Sequence, residues 1–243
     1  MPSTSPVILI LGSGPNIGQH VARTFAAKGY KVALISRRPD ESKSTEQVHI
    51  QSDLSDPDSV IGVFSKVRES LGIPSVVVYN GKNPPNTETS PTDPPRAAAA
   101  TLNDTKNPFS LTQADFIRDL KINTTSAFVA AQQAALGFEK LPDSAPKTFI
   151  YTGNILNTMT IPPLLSLGAG KSATAHIIQS AAAAYYDRGF KFYYADERNA
   201  DGTPAYASID GEAHGEFYLQ LADHKSQGPW QQTFVKAIGY KSF

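Results

Sequence analysis

Near its amino end the sequence reads Leu9-Ile10-Leu11-Gly12-Ser13-Gly14-Pro15-Asn16-Ile17-Gly18, an apolar run joined to a helical pattern through a glycine-rich turn. Val7 to Leu11 has the unbroken apolar character of a strand buried on both faces, and Ile17 to Lys28 carries helical spacing through Ile17, Val21, Phe25 and Ala26. Strand, turn and helix in that order predict a phosphate cradle. Gly12 and Gly14 let the main chain turn with no Cβ in the path of a pyrophosphate, and Gly18 lets the helix lie close on the sheet. Around them Ser13, Asn16 and Ile17 place N–H groups at the helix amino end, where an anion is favoured. The spacing is Gly-x-Gly-x-x-x-Gly, one residue longer than the dinucleotide fingerprint. A tight strand-to-helix connection without a ligand is the other reading of the same residues.

A second strand, Lys31 to Ser36, ends in Arg37-Arg38-Pro39. In a dinucleotide fold an acidic residue here would hold the ribose 2′-OH, whereas arginine accommodates a 2′-phosphate, so Arg37 and Arg38 point to NADP(H). Two solvated loop arginines are the plain alternative. The polar link Arg37 to Glu46 is too short for a full crossover helix before a third strand, Gln47 to Gln51. Asp53-Leu54 follows, where an adenine ring would sit or where a turn is capped. A helix from Asp56 to Leu71 and the strand Pro74 to Tyr79, closed by Asn80-Gly81, come next. Lys82 to Pro108 is rich in Pro, Thr, Asn and Asp, a long connection that is either mobile or functional, such as a lid. Helical spacing resumes from Phe109 to Lys140, then a strand at Lys147 to Thr152, an alanine-rich helix from Ser166 to Tyr186 and a strand at Phe190 to Tyr194. This alternation predicts a single α/β domain over 1–243, a doubly wound parallel sheet, with a different segment at 195–243 holding a helix near Glu212 to Ser226 and an edge strand at Thr233 to Lys236.

Twenty-two basic and 22 acidic residues cancel, so no net field draws nucleic acid or a charged membrane, and a small molecule is the expected partner. With no cysteine there is no disulfide, thiolate metal site or cysteine nucleophile, and the five histidines show no ligand spacing, so no metal is expected. The amino end lacks a basic n-region and its apolar run is too short to span a membrane, which reads as a soluble, cytoplasmic chain. Gly168-Ala169-Gly170-Lys171-Ser172 imitates a triphosphate loop, but Leu165 stands where its first glycine is required.

The glycine turn, Asp53-Leu54, Asn80-Gly81, Lys121-Ile122-Asn123 and Lys171, in that order, resemble the short-chain dehydrogenase/reductase family over about residues 6 to 195. The resemblance implies a Rossmann-like domain that binds NAD(P), with an Asn, Ser, Tyr and Lys moving a proton while the nicotinamide moves hydride. On that pattern Asn123 matches the asparagine and Lys171 the lysine, which also holds the ribose. Asn123 is read as well as bridging a backbone kink. The resemblance further implies a homodimer or homotetramer, packed through the small residues Ala127 to Ala135 and Ala173 to Ala184.

Five places depart from the pattern. Leu167 stands four residues before Lys171, where the family has tyrosine; Asn154 stands at or beside the serine; Asn16 replaces the middle glycine; Tyr79-Asn80-Gly81 is a reduced form of the usual Asn-Asn-Ala-Gly; Tyr194-Ala195-Asp196-Glu197 replaces a Pro-Gly segment. Leucine carries no proton. The reading preferred here is an NADP(H)-dependent oxidoreductase of a carbonyl or alcohol, in which Asn154 orients the carbonyl, Lys171 supplies positive charge, and water or a side chain among Ser166, Tyr151, His176 and Tyr194 gives the proton. Non-redox isomerisation or cyclisation in the same pocket, and NADP(H) binding without turnover as a sensor or structural protein, remain open. The substrate pocket is expected from Lys82 to Pro108 and the segment after Tyr194.

Overall fold

The computed structural model describes residues 5–38, 47–81, 96–97 and 100–243. The polar link at 39–46, and 82–95 and 98–99 of the long connection, lie outside the described residues. Strand β1 (Val7–Leu11) leads into helix α1 (Ile17–Ala26), then β2 (Lys31–Ser36), β3 (Gln47–Gln51), α2 (Pro57–Ser70) and β4 (Val76–Tyr79). A short antiparallel pair, β5 (Arg96–Ala97) and β6 (Ala100–Thr101), precedes α3 (Gln113–Leu120) and α4 (Ser126–Phe138). Strand β7 (Thr148–Thr152), helix α5 (Leu165–Ala184), β8 (Lys191–Glu197), α6 (Gly211–Asp223), β9 (Gln231–Val235) and β10 (Gly239–Tyr240) complete the order.

Among the described residues the main sheet has eight strands, ordered β10-β9-β8-β7-β4-β1-β2-β3, and all but β10 run parallel. From β1 the chain steps outward to β2 and β3, then returns to β4 on the other side of β1. That reversal opens a crevice at the carboxyl ends of β1 and β4, where open α/β sheets bind ligands. Alternate residues of each strand enter opposite cores. Val7, Leu9 and Leu11 face the side covered by α2, α4 and α5, while Ile8 and Ile10 face α1 and α6. Both faces are buried, which is why the strands read as continuous apolar runs.

Three expectations change. The helical spacing from Phe109 to Lys140 is not one helix: α3, capped by the Thr112 hydroxyl on Asp115 N at 3.1 Å, passes through a π turn at Lys121–Thr125 before α4 begins. One extra residue in the turn keeps the outward pattern nearly helical, so periodicity does not reveal it. Strand β8 runs beyond Tyr194 to Glu197, because β9 pairs with Tyr194 to Glu197. The strand expected at the sheet edge is therefore β9, an interior strand covered by β10. Helix α6 starts on Asp210, whose carboxylate accepts from Ala213 N at 2.9 Å, and packs on α1 through glycine: a Cβ on Gly215 would stand 2.4 Å from Thr24 Oγ1. No helix among the described residues is long and apolar enough to cross a membrane.

Candidate active site

The glycine turn is held from both neighbouring strands. Gly12 N and Ser13 N donate to Ile35 O of β2 at 3.0 and 2.9 Å, while the Asn80 side-chain amide donates to Gly12 O at 2.9 Å. Gly12 sits at φ +102°, and a Cβ there would stand 2.1 Å from Asn80 O. A Cβ on Gly18 would stand 2.6 Å from Ser13 Cα, so this glycine fixes how closely α1 approaches the turn. Gly14 differs: a Cβ there meets nothing within 4 Å. The first N–H groups of α1, at Asn16, Ile17 and Gly18, precede any intrahelical acceptor, and no acidic side chain lies in the first turn. These N–H groups and the open flank of Gly14 suit a pyrophosphate. The Asn16 side chain is otherwise employed, donating to Ile209 O at 2.9 Å and so tying the turn to the segment before α6.

Arg37 and Arg38 follow β2 with exposed side chains, while their carbonyls are held by Gln51 Nε2 and Ser36 Oγ at 3.0 and 2.8 Å. Ile35, which anchors the glycine turn, lies two residues before Arg37. Asp53 Oδ1 accepts from Ser55 N at 2.9 Å, which is turn chemistry, and Leu54 O accepts from Ser126 Oγ at 2.8 Å. A Cβ on Gly81 would press on the Tyr79 ring at 2.8 Å, so the chain leaves β4 flat against it. All these predicted nucleotide residues line the carboxyl ends of β1 to β4.

Asn123 lies in the π turn, its amide donating to Asp119 O at 3.0 Å. Such a turn loosens carbonyls from the helical ladder, and hydroxyls from the sheet and α5 take them up. Tyr79 OH donates to Ile122 O at 2.5 Å, and Tyr151 OH and Thr174 Oγ1 donate to Asn123 O at 3.1 and 2.6 Å. Gly170 permits this contact, since a Cβ there would stand 2.7 Å from Asn123 Cβ. One residue on, Lys171 is 5 % exposed, donates from Nζ to Thr152 O at 3.0 Å and sits 4.4 Å above the Tyr151 ring. The structure thus brings Asn123 and Lys171 to one place at the end of β7.

Asn154 is beside them. Its Oδ1 caps Leu156 N at 3.0 Å, and its backbone N and O both bond the Tyr194 hydroxyl, at 3.1 and 2.7 Å. Leu167 is buried in an apolar cluster with Leu156, Ile161 and Leu164. Of the side chains considered as proton donors, Ser166 donates to the buried Asp119 carboxylate at 2.7 Å, Tyr151 and Tyr194 are bound to main-chain carbonyls, and His176 is exposed on α5. Burial pushes both tyrosine hydroxyls above their usual range.

The end of β8 adds groups that sequence spacing did not single out. Asp196, 2 % exposed, pairs with Arg198; burial pushes its carboxyl up to about 6 while Arg198 and Lys171 pull it down. Burial also lifts Glu197 to about 6, although Asp210 N donates to it at 2.9 Å. Tyr218 OH donates to Thr152 Oγ1 at 2.9 Å. The available signal was three consecutive charged residues, Asp196-Glu197-Arg198, running on from an apolar strand. No group of three or more His, Cys, Asp or Glu among the described residues could hold a metal.

Known proteins share this fold. The short chain dehydrogenase family model matches residues 6–195. The short chain dehydrogenase/reductase dmxR12 of Cryptosporiopsis sp. is 48% identical over 240 residues, covering 99% of this chain and 96% of that one. A short-chain dehydrogenase/reductase structure from Serratia marcescens superposes with a TM-score of 0.72 at 18% identity, over 97% of this chain and 98% of that one. The 3-oxoacyl-acyl-carrier-protein reductase of Brucella melitensis in complex with NAD gives 0.72 at 18%, over 90% of each chain. By the family model and the 48% identical relative, the chain belongs to the short-chain dehydrogenase/reductase family of oxidoreductases, on a Rossmann-like single-domain fold.

Proposed function

We propose that the protein is an NADP(H)-dependent oxidoreductase that interconverts a small-molecule ketone or aldehyde with its alcohol, as an atypical family member without the tyrosine acid and the serine. The observation that carries this reading is Lys171, buried and bonded to Thr152 O beside the Asn123 turn, on the same sheet edge as the open flank of Gly14. The α1 amino end would hold the pyrophosphate and Arg37 with Arg38 the 2′-phosphate, a doubly charged group that guanidinium binds well. The bound nicotinamide supplies or accepts hydride. Asn154 Oδ1 is committed to Leu156 N, so its Nδ2 is the end left to donate to a carbonyl oxygen. Lys171 adds positive charge where that oxygen becomes an alkoxide. Leu167 has no proton to give, and the alkoxide takes one from solvent. Losing a positioned acid costs about 10²–10⁴-fold in rate, so turnover is slow by the standard of tyrosine-bearing relatives.

Exposed Phe128 and Leu136 on α4 favour self-association through that helix. One observation favours a second reading, NADP(H) binding without turnover: Leu167 is packed among leucines, and the tyrosine hydroxyls near Lys171 are bound to main chain. Calorimetric titration with NADPH and NADH decides the cofactor. Arg37→Glu is expected to weaken NADPH by about tenfold or more and leave NADH within about twofold, because it sets repulsion against one phosphate. Equal effects would remove the NADP(H) assignment. A ketone panel followed at the nicotinamide absorbance then separates turnover from binding alone.

A further inference from the structure

Beside β9 and β10, next to the residue that follows β8, lies a cavity of about 390 Å³, lined by Arg198, Thr158, Trp230, Tyr240 and Phe243 among others. It adjoins the residues already described. Trp230 meets the Tyr194 ring edge-on at 6.4 Å, and Tyr194 OH bonds Asn154. Thr158 follows Asn154 by one short turn, and Arg198 is paired with Asp196, whose carboxyl feels Lys171. The volume lies in the range of small-molecule sites, roughly 300–1,000 Å³, and suits one or two rings.

The wall has two kinds of chemistry. Trp230, Tyr240 and Phe243 supply aromatic rings, Phe243 itself resting on Gly202, where a Cβ would stand 2.7 Å from its ring, with Lys241 Nζ 4.9 Å over the ring centre. Aromatic faces hold a planar ring with little loss of side-chain freedom. Arg198 brings a guanidinium that is only partly used: Nε bonds Asp196 and Nη1 bonds Gly202 O at 3.2 Å, and Nη2 makes no hydrogen bond to a described residue. The nearby acids are committed, Asp196 to Arg198 and Asp201 to Thr203 N and Oγ1 at 3.0 and 2.6 Å. A planar cation in the wall of an aromatic-lined space fits a carboxylate or phenolate carried on a ring.

We propose that this cavity is the substrate-recognition subsite, that its ligand is an aromatic ketone or alcohol carrying an acidic group, and that Arg198 selects for the charge. The assignment of the ligand as substrate rests on the oxidoreductase reading; the binding chemistry does not. Trp230 is the sole tryptophan, so its emission reports occupancy without turnover.

The test titrates the full-length protein with 4-acetylbenzoate and with its methyl ester, following Trp230 emission at red-edge excitation alongside calorimetry. The acid is expected to change the emission and to bind about tenfold or more tighter than the ester. Arg198→Gln, checked for native circular dichroism, is expected to bring the two within about twofold. Should that variant not fold, Phe243→Ala, at a residue 53% exposed, is expected to weaken both ligands by about threefold while keeping the acid preferred. Equal affinity for acid and ester in the wild type, or calorimetric binding with Trp230 emission unmoved, overturns the subsite. If the acid binds as described yet no member of the ketone panel oxidises NADPH, the oxidoreductase reading fails and the cavity stands; if ketones of any charge oxidise NADPH without touching the emission, the reverse holds.

Discussion

Along β1, β2 and β4 the carboxyl edge of the sheet is made of glycine, main chain and exposed arginines, whereas along β7 and β8 it is crowded with tyrosine rings and buried charge. Tyr151 and Tyr194 stand side by side on the α5 face with ring centres 5.5 Å apart, Tyr79 of β4 marks the border at 5.7 Å from Tyr151, and all three hydroxyls end on carbonyls. Space is conserved at the first edge and filled at the second. Nucleotide binding asks little of a chain beyond a tight turn and a helix start, both local backbone properties. Handling a substrate and its proton depends on which side chains meet across strands, and there the chain places Leu167, Asn154 and Arg198.

That contrast is open to attack from either side. The largest effect is expected from Gly12→Ala, which combines a positive φ with a collision against Asn80 O: a loss of at least about 3 kcal/mol in urea unfolding, or no soluble protein. Next, Lys171→Ala should lower turnover of any accepted ketone by at least about 10²-fold with circular dichroism unchanged; unaltered kcat would leave the β7–β8 edge without its cation. Gly14→Ala sharpens the comparison within one motif. With nothing within 4 Å of a Cβ there, unfolding should move by less than about 0.5 kcal/mol, while NADPH binding weakens about tenfold as the methyl enters the pyrophosphate's path. Unchanged NADPH affinity would take the nucleotide away from this turn.

The smallest effect concerns Glu197. Its carboxyl holds a proton up to about pH 6 in the folded protein but releases it from the ordinary value of 4.5 when unfolded. The folded state therefore binds more protons between those values, and stability contributed by this group falls as pH rises through the window. Glu197→Gln lacks that loss. Its unfolding free energy should therefore increase relative to the wild type's by roughly 1 kcal/mol from pH 4.5 to pH 7. A pH-independent difference would show that the carboxylate is at home in its pocket.

The same division explains what could be read from residues alone. The β1 turn, the buried strand at Val76 to Tyr79 and the alanine-rich helices announce themselves because composition and period act locally. Lys171 and Asn123 were legible through their order in a resemblance, and their meeting depends on Gly170, a position no periodicity marks. The kink read at Asn123 is there, but its form as a π turn stayed hidden because the groups that hold it, Tyr79, Tyr151 and Thr174, are distant in sequence. Asp196 and Arg198 were visible as charges after a strand, but only β9, pairing beyond Tyr194, turns them into buried groups.

The π turn also sets the rotational phase between two helices. Each residue turns an α-helix by about 100°, so removing one from Lys121–Thr125 would roll α4 by about that much relative to α3. The stripe of Ala127, Ala130 and Ala134 would leave the sheet, and Phe128 would swing in where only a methyl fits. The added residue works as a phase corrector: it lets one helix deliver Asn123 to the crevice and the next lay its smallest side chains on the strands.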